Sequence, residues 1–312
     1  MTSFKHIPVM LNECIDGLKI KDGGVYFDGT LGGGGHSYEI LKKSSPTGKL
    51  VATDLDTYAI SRASERLKEF NGRFTIVNDN FKNFSKVKED LDVKGFDGIL
   101  LDLGVSSFQL DDRSRGFSYL DGSVRLDMRM DQNSPLTAEY IVNEYSEQQL
   151  KKIFSEYGEE RFSGQVARNI VQARANNKIV TVGQLNDIIA TSIPKKFQHD
   201  GHPSKRVFQA IRIEVNGELN LLYETVLTMA RSLNKGGRIV ILTFHSLEDR
   251  IVKNAFKYLE CDCICDKNLP VCVCDKRKEV EIITKHPIIA TEEELTINSR
   301  SKSAKLRIAE KI

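Results

Sequence analysis

Three acidic side chains and a run of glycines are the residues of this sequence best suited to chemistry, and their spacing suggests a nucleotide site. Residues 25–37 read VYFDGTLGGGGHS, in which a β-branched and aromatic run ends at Asp28 and glycines occupy positions 32–35. A strand, a glycine-rich turn and a helix form such a site in doubly wound α/β sheets, because glycine lets a ligand approach the backbone. Ser37 can cap the helix that follows. The turn alone is equally compatible with a plain chain reversal.

The acidic residues indicate which nucleotide this turn would bind. Asp54 ends a second predicted strand, 26 residues after Asp28, where a carboxylate can accept hydrogen bonds from both ribose hydroxyls. Asp28 can face the ammonium of a cofactor, whereas the pyrophosphate of a nicotinamide dinucleotide would gain nothing from a carboxylate there. The stretch LNKGG at 233–237 resembles the Gly-Gly turn of S-adenosylmethionine-dependent methyltransferases. The alternative interpretation makes these acids, together with Asp97 and Asp102, plain turn residues at strand ends.

Asp102 ends the fourth predicted strand, where the sequence DLGVSS at 102–107 turns sharply. Ligands bind at the carboxyl ends of parallel strands, so this turn is expected to face the methyl donor. Enzymes that methylate an exocyclic amine place Asp, Asn or Ser before a tight turn here, since oxygen acceptors orient a poorly nucleophilic aromatic amine. Methylation at C5 of a pyrimidine needs a cysteine nucleophile instead. Cys14 is the one cysteine outside 261–274, which disfavours that chemistry.

The elements that must position these residues follow an α/β pattern. Apolar runs predict four strands, separated by helices, which implies a parallel sheet; they cover 25–28, 49–54, 74–77 and 96–102. The strand pattern resumes at 236–244, after a predicted helix at 218–233 and a long polar and helical stretch. We therefore predict an α/β, Rossmann-like class I S-adenosylmethionine-dependent methyltransferase fold. Residues 1–107 and 216–312 would form it, and 108–215 would be an inserted α-helical domain.

Composition indicates an ordinary globular protein. The chain has 312 residues, of which 40% are hydrophobic and 28% charged, with a net charge of +2. No apolar run approaches the roughly 20 residues of a membrane span and no signal peptide is evident, so we expect a cytoplasmic monomer or homodimer without membrane contact. Reduced thiols are therefore expected, and no catalytic metal. Whether the late C-x-C cluster binds a metal stays open, because common zinc ribbons use C-x₂-C; its members are Cys261, Cys263, Cys265, Cys272 and Cys274.

The total charge conceals a basic segment. Residues 151–212 contain eleven Lys and Arg against five Asp and Glu, a net charge of +6, so the rest of the chain sums to −4. Polar stripes oppose the apolar faces of two predicted helices in this segment. They are Arg161, Gln165, Arg168 and Gln172 on one helix, and Lys205, Gln209, Arg212 and Asn216 on the other. Such stripes are either solvated faces or a surface that holds a phosphate backbone.

Longer motifs are shared with a known family over nearly the whole chain. They are DGT (28–30), GGH (34–36), DLGVSS (102–107), RGFSY (115–119), LDMRM (126–130), YGEERF (157–162), HP (202–203), RVFQA (206–210) and FHSLEDR (244–250). On these motifs the sequence resembles the MraW family of bacterial small-subunit ribosomal RNA methyltransferases. The resemblance implies S-adenosyl-L-methionine as cofactor and 16S rRNA as partner, within the small ribosomal subunit or a late precursor. It also implies direct methyl transfer to N4 of a decoding-site cytidine, with no covalent enzyme intermediate.

The resemblance implies that the residues at the matching positions contact the cofactor. They are Gly34, Gly35, His36, Asp54, Phe81, Asp102 and Gln109. His36 is expected to be a helix-start cap with a binding role and no acid or base role, and Phe81 is expected beside the adenine. As catalytic candidates, Asp102 would orient the target amine, and His245 would contact the base or its phosphate unless it only bonds the backbone.

Cationic and aromatic residues of the inserted segment are candidates for the RNA interface. Five arginines are either RNA contacts or partners in internal salt bridges: Arg113, Arg115, Arg161, Arg168 and Arg206. A flipped cytidine also needs a ring to stack on, and Phe108, Phe117 and Tyr119 are available.

The fold alone allows three other functions. They are methylation of a DNA or protein amine, nicotinamide-dependent oxidoreduction, and a non-enzymatic role in RNA binding or assembly. Asp28 and the LNKGG turn disfavour the second, and the basic segment and the family resemblance favour RNA over the first.

Overall fold

The computed structural model describes residues 8–105, 112–198, 202–266 and 271–312. The chain divides into two compact units, which we call the core unit (residues 1–104 and 219–312) and the inserted unit (residues 105–218). Phe108 and Gln109, for which stacking and cofactor roles are predicted, lie outside the described residues. Among the helices of the described ranges, none has both the length and the apolar character needed to cross a membrane.

The core unit is built on one mixed sheet. In the described part of the chain its strands are β1 (Val25–Asp28), β2 (Lys49–Asp54), β3 (Phe74–Asn78), β4 (Phe96–Asp102), β5 (Leu233–Thr243), β6 (Val280–Ile282), β7 (Ile288–Ile289) and β8 (Lys305–Lys311). They are ordered β3-β2-β1-β4-β5-β8-β6, and β7 also pairs with β8. Strands β1 to β5 are parallel, and β8 is antiparallel to its neighbours. This is the order of a doubly wound sheet, and the predicted Rossmann-like α/β fold is confirmed.

Helices separate the parallel strands and fill the inserted unit. In the described ranges they are α1 (Leu11–Leu18), α2 (Gly35–Lys43), α3 (Thr57–Leu67), α4 (Phe84–Asp90), α5 (Ala138–Glu144), α6 (Glu147–Glu156), α7 (Ser163–Asn176), α8 (Val182–Ser192), α9 (Lys205–Asn216), α10 (Leu222–Arg231), α11 (Ser246–Glu260) and α12 (Glu292–Ile297). Helices α5 to α9 belong to the inserted unit, where the sequence predicts several helices.

Alternation along the strands covers both faces of the sheet. In β2, Leu50 and Ala52 pack with the apolar residues of α1, α2 and α3, whereas Val51 packs with those of α4, α10 and α11. Successive side chains of a strand point to opposite faces, so a continuous apolar run is what a sheet with helices on both faces requires. Each fully buried Leu, Ile or Val contributes about 1.5–3 kcal/mol to this core.

Strand β5 begins earlier than the sequence predicts and contains an irregularity. Phe96 of β4 pairs with Leu233, and Gly98 pairs with Arg238, so β4 advances two residues while β5 advances five. Gly236 has a φ of +76°, a conformation that glycine adopts without strain. The LNKGG stretch is therefore a bulge within β5, where the sequence indicated a turn before it.

The start of α2 also differs from the prediction. The helix begins at Gly35 with Gly34 as its N-cap, and no side chain caps it. Ser37 lies inside the first turn and donates its hydroxyl to Asp28, so the prediction of a Ser37 cap was wrong. By contrast, the Asp56 carboxylate caps α3 by accepting from the backbone N–H groups of Tyr58 and Ala59.

The inserted unit has its own apolar core. Residues from all five helices contribute to it, including Ile141, Phe154, Val166, Ile189 and Phe208. Helices α6 and α8 each begin with a capping box, in which the N-cap hydroxyl and a glutamine side chain satisfy backbone N–H groups reciprocally. Local signals and apolar spacing together explain why this segment folds as helices.

Candidate cofactor site and active site

The glycine turn and the end of β4 are joined directly. The hydroxyl of Thr30 accepts a hydrogen bond from the backbone N–H of Asp102 at 2.6 Å. One residue earlier, the Gly29 N–H donates to the carbonyl of Leu100 at 2.9 Å. The parallel pairing of β1 with β4 brings both carboxyl ends to one edge of the sheet, and these two bonds fix their spacing. Thr30 is not among the predicted site residues, although its place directly after a strand-ending Asp-Gly was a usable signal.

Asp28 is built into the turn. It is buried, and it accepts hydrogen bonds from the Ser37 hydroxyl at 2.6 Å and from the Thr30 N–H at 3.1 Å. Burial raises the pKa of Asp28 to about 6, and the Ser37 bond opposes that shift. The carboxylate therefore ties β1 to α2, and its contact with a cofactor ammonium remains a prediction.

Gly34 and Gly35 have no room for side chains. Gly34 has a φ of +72°, and a Cβ there would lie 3.0 Å from the Cβ of Ala63 on α3. A Cβ on Gly35 would come within 2.2 Å of Cγ of Pro8. The turn therefore packs closely against α3 and the N-terminal segment, and this packing requires glycine at both positions.

Asp54 lies at the carboxyl end of β2, as predicted, and braces the same turn. One carboxylate oxygen accepts from the Gly32 N–H at 2.7 Å, and the other accepts from the Asp56 N–H at 2.9 Å. Burial raises the pKa of Asp54, while these two bonds oppose the shift. Each oxygen keeps further acceptor capacity, which is what two ribose hydroxyls require.

Phe81 follows β3 and reaches the glycine turn. It begins a short 3₁₀ helix, Phe81–Asn83, whose N-cap Asn80 accepts from the Lys82 N–H. Its Cβ lies 3.0 Å from where a Cβ on Gly29 would be, and its half-buried ring packs on the core next to the sheet. The ring is thus beside the turn, and it serves the apolar core at the same time.

Asp102 is the most perturbed carboxyl of this edge. Its side chain is 26% exposed, yet its Oδ1 is buried without a hydrogen-bond partner in the described part of the chain. Burial, followed by the nearby charges of Asp28 and Glu248, raises the pKa of Asp102 to about 8. An acceptor oxygen left without a partner at a strand's carboxyl end is a group available to a ligand.

His36 lies in the first turn of α2, but it is not a cap. Its Nε2 is 3.1 Å from the carbonyl of Val9, and since a carbonyl only accepts, Nε2 carries the hydrogen. Its Nδ1 then faces Asp102 Oδ2 at 3.9 Å. The ring is 6% exposed and links the N-terminal segment to the Asp102 edge, whereas the sequence suggested a helix-start cap.

His245 is the N-cap of α11. Its Nδ1 accepts from the Glu248 N–H, and the Glu248 carboxylate accepts from the N–H groups of Phe244 and His245, which completes a capping box. The Nε2 lies 3.1 Å from Glu248 Oε1, and the side chain is 7% exposed. The structure thus gives His245 a backbone-bonding role, and its contact with the target base or its phosphate stays a prediction.

We expect stability to fall as the pH rises from about 5 towards 8. Asp102 binds its proton more tightly in the folded protein, with a pKa of about 8, than in the unfolded chain, with a pKa of 3.8. The stabilisation is therefore complete below the unfolded value and is lost as the pH rises through the folded value. The slope from this residue is at most about 1.4 kcal/mol per pH unit. Urea unfolding of the wild type and of Asp102→Asn across this range measures it, and equal slopes would contradict the shift.

The predicted RNA arginines fall into two groups. Arg115 donates to the carbonyls of Arg129 and Met130 at 2.7 and 3.2 Å, inside the inserted unit, so its guanidinium organises a loop. Arg161, Arg168 and Arg206 are exposed. Arg113 lies in a short 3₁₀ helix, and its side chain is outside the described residues.

The two polar stripes also differ. In the first stripe, Arg161 lies just before α7, and Gln165, Arg168 and Gln172 lie on it. Both arginines are exposed, and Arg168 lies 3.9 Å from the carboxylate of Glu147. On α9, Arg212 forms a two-point salt bridge with Glu218, and Asn216 bonds the backbone of Met128 and Met130. The α9 stripe is therefore mainly an internal contact, and the interpretation as a solvated face or phosphate surface was wrong for it.

Of the described stacking candidates, neither is a free ring. Phe117 is buried in the core of the inserted unit, and Tyr119 stacks on His202 with ring centroids 4.5 Å apart. An exposed ring of the inserted unit that was not among these candidates is Phe197, which is 43% exposed. Arg161 and Lys196 lie over it at 4.9 and 5.1 Å from the ring centroid. The signal available in the sequence was an aromatic residue directly after two lysines.

Comparisons with known proteins agree with the motifs. The family model described as the MraW methylase family matches residues 3–312. The chain is 55% identical over 309 residues to the ribosomal RNA small subunit methyltransferase H of Clostridium botulinum (strain Kyoto / Type A2). It is 53% identical over 310 residues to the protein of that name from Clostridioides difficile (strain 630). In both pairs the alignment covers 99% of each chain. A crystal structure of an rRNA methylase from Streptococcus thermophilus shares 10% identity at a TM-score of 0.41 over 99% of both chains, which is too remote to add to the fold described above. The chain belongs to the MraW methylase family.

Proposed function

We propose that this protein transfers the methyl group of S-adenosyl-L-methionine to N4 of cytidine 1402, or its equivalent, in 16S rRNA. The observation that carries the proposal is Asp102, whose Oδ1 is buried and unpartnered in the described structure, next to the glycine turn. Membership of the MraW family and the names of the full-length relatives support the rRNA substrate.

The residues present fit the cofactor. The glycine turn offers backbone without side chains at residues 32–35, next to the carboxylates of Asp28 and Asp54. Asp54 keeps acceptor capacity for the ribose, and Phe81 offers a half-buried ring beside the turn. When bound, S-adenosylmethionine supplies an electrophilic methyl group on a sulfonium. Gln109 would complete the site by resemblance to the family.

Asp102 would orient the nucleophile. The N4 amine of cytosine is a poor nucleophile, since its lone pair is delocalised into the ring. An oxygen that accepts one of its N–H bonds holds the nitrogen in line with the methyl group and favours the tetrahedral geometry of the product. Oδ1 can accept in either protonation state of Asp102, because a neutral carboxyl also has a carbonyl oxygen. No thiol or covalent enzyme intermediate takes part.

The inserted unit would hold the RNA through its exposed basic face. Arg161 lies just before α7 and Arg168 lies on it, with exposed Lys151 and Lys152 on neighbouring α6. Phe197, flanked by the cations of Arg161 and Lys196, combines an exposed ring with positive charge. Aromatic rings that stack bases and cations that contact phosphates are the usual elements of a single-stranded RNA surface.

Charge reversal on this face is expected to weaken RNA binding. The double variant Arg161→Glu/Arg168→Glu should raise the Kd for a decoding-site RNA by about tenfold or more at low salt. The slope of log K against log salt should become shallower by about 0.7–0.9 for each phosphate that the protein no longer neutralises. Lys86→Glu/Lys94→Glu changes the net charge equally at exposed positions of the core unit and serves as the control. A salt slope equal to that of the wild type would indicate that these arginines lie on a solvated face and do not contact RNA.

The function is tested by supplying the purified protein with labelled S-adenosylmethionine and small ribosomal subunits from a strain that lacks this protein. Digestion and mass spectrometry should find N4-methylcytidine at the decoding site. Methylcytidine modified at C5, or label only in ribosomal protein, would overturn the proposal. Absence of transfer by folded protein that binds RNA would favour the non-enzymatic alternative.

A further inference from the structure

The chain between α11 and β6 brings four of the six cysteines together, far along the sequence from the proposed active-site residues. The Sγ atoms of Cys263, Cys265, Cys272 and Cys274 all lie within 4.8 Å of one another. Four of the six pairs are at van der Waals distance: 263–272 at 3.5 Å, 272–274 at 3.7 Å, 263–274 at 3.8 Å and 265–272 at 3.9 Å. All four are free thiols in the structure.

These separations match a tetrahedron of sulfur around one metal ion. A Zn–S bond is about 2.3 Å, so the sulfur atoms of an ideal tetrahedral site are about 3.8 Å apart. A disulfide would hold one pair at about 2.05 Å and leave the others at unrelated distances. Four of the observed sulfur separations lie between 3.5 and 3.9 Å and all six are within 4.8 Å, which fits a shared central ligand better than pairwise bonds.

The backbone around the sulfurs is arranged reciprocally. Ile264, between the first two cysteines, donates its N–H to the sulfur of Cys274 at 3.4 Å. Val273, between the last two, donates its N–H to the sulfur of Cys265 at 3.3 Å. Each C-x-C arm thus directs a backbone donor at a sulfur of the other arm. Hydrogen bonds to metal-bound thiolates orient the ligands and stabilise their negative charge.

The described part of the same segment has no apolar core of its own. Its described aliphatic side chains are Ile264, Val271 and Val273, which are 56%, 70% and 77% exposed. One hydrogen bond joins the two ends of the segment: the Glu279 N–H donates to the carbonyl of Leu259 at 2.8 Å. A segment that orders so little buried apolar surface commonly depends on a disulfide or a metal.

We propose that Cys263, Cys265, Cys272 and Cys274 bind one Zn²⁺ as a closed, structural Cys₄ site. On binding, the thiols become thiolates and their protons pass to solvent. Four protein ligands leave no open position for substrate, so the ion would order this segment and take no part in methyl transfer. The proposal is independent of the proposed function, because it rests on residues outside the cofactor site.

Cys261 provides the matched control. It belongs to the same segment, but its thiol donates to the carbonyl of Tyr258 at 3.1 Å and lies outside the cluster. Elemental analysis of the full-length protein, purified under reducing conditions without a metal-affinity column, should find about one zinc per chain. Cys263→Ser and Cys272→Ser should each lose most of it, whereas Cys261→Ser should retain it.

A second measurement avoids dependence on variants that fold poorly. Wild-type protein stripped with a chelator should take up one Co²⁺ and show the visible absorption of tetrahedral cobalt thiolate, which one equivalent of Zn²⁺ abolishes. No uptake of either ion by reduced wild-type protein would overturn the proposal. So would a disulfide among the four cysteines in the reduced preparation, or equal zinc loss in Cys261→Ser.

Discussion

Replacement of Asp102 by alanine is expected to lower the rate constant for methyl transfer about 100- to 1,000-fold. This is the loss that follows removal of one preorganised hydrogen-bonding group from an active site. The reason lies in the geometry at the end of β4, where Thr30 fixes the backbone of Asp102 and leaves Oδ1 buried without a partner in the described residues. An amine held there loses its orientation when the oxygen is removed.

The matched control for this experiment is Asp102→Asn. Asparagine keeps the acceptor oxygen in nearly the same place and cannot ionise, so it should retain more activity than alanine. It should also remove any pH dependence near 8 that stems from Asp102, where the wild-type carboxyl titrates. Single-turnover rates and the KM for S-adenosylmethionine should be measured for both variants. Full activity in the alanine variant would place the orienting group elsewhere.

Replacement of Asp54 by alanine is expected to weaken the binding of S-adenosylmethionine about 10- to 100-fold. Hydrogen bonds to a charged group contribute about 1.5–3 kcal/mol, and each 1.4 kcal/mol corresponds to a factor of about ten in affinity. The alanine variant also releases the N–H groups of Gly32 and Asp56, so the turn itself is loosened. Isothermal calorimetry with the purified variant measures the effect.

Two controls separate ribose binding from disruption of the turn. Asp16→Ala removes an exposed carboxylate from α1 and should leave the affinity unchanged. Asp54→Asn can still accept from the Gly32 N–H, but it has neither the charge nor the second acceptor oxygen, so its affinity should lie between those of the wild type and Asp54→Ala. An affinity of Asp54→Ala equal to that of the wild type, in folded protein, would show that the ribose is bound elsewhere.

Much of the fold could be predicted because its signals are local. The runs VYFD, KLVATD and FDGILLD are continuous and apolar, as strands covered by helices on both faces must be, and they became β1, β2 and β4. The parallel pairing then placed Asp28, Asp54 and Asp102 at one edge. The local predictions that failed were one turn and two caps. Strand β5 contains LNKGG as a bulge, and neither Ser37, which bonds Asp28, nor His36, which bonds Val9, caps α2.

The polar stripes show why surfaces are harder to read than strands. The stripes of α7 and α9 have the same pattern in the sequence, but Arg212 and Asn216 on α9 meet Glu218 and a loop at Met128–Met130. In the sequence, a polar side chain that faces water has the same pattern as one that faces a polar partner. Only the folded structure distinguishes the two.

The sequence by itself determined the family, the parallel α/β sheet and the turn of glycines between acidic strand ends, because these depend on residue type and near-neighbour spacing. Only the tertiary structure decided what each charged or sulfur-bearing side chain faces. Asp102 has its raised pKa because it is buried and because Asp28 and Glu248 come near it from other elements, and His245 is engaged by Glu248 at the start of α11. Burial and electrostatic fields arise from contacts between distant parts of the chain, which no local pattern contains.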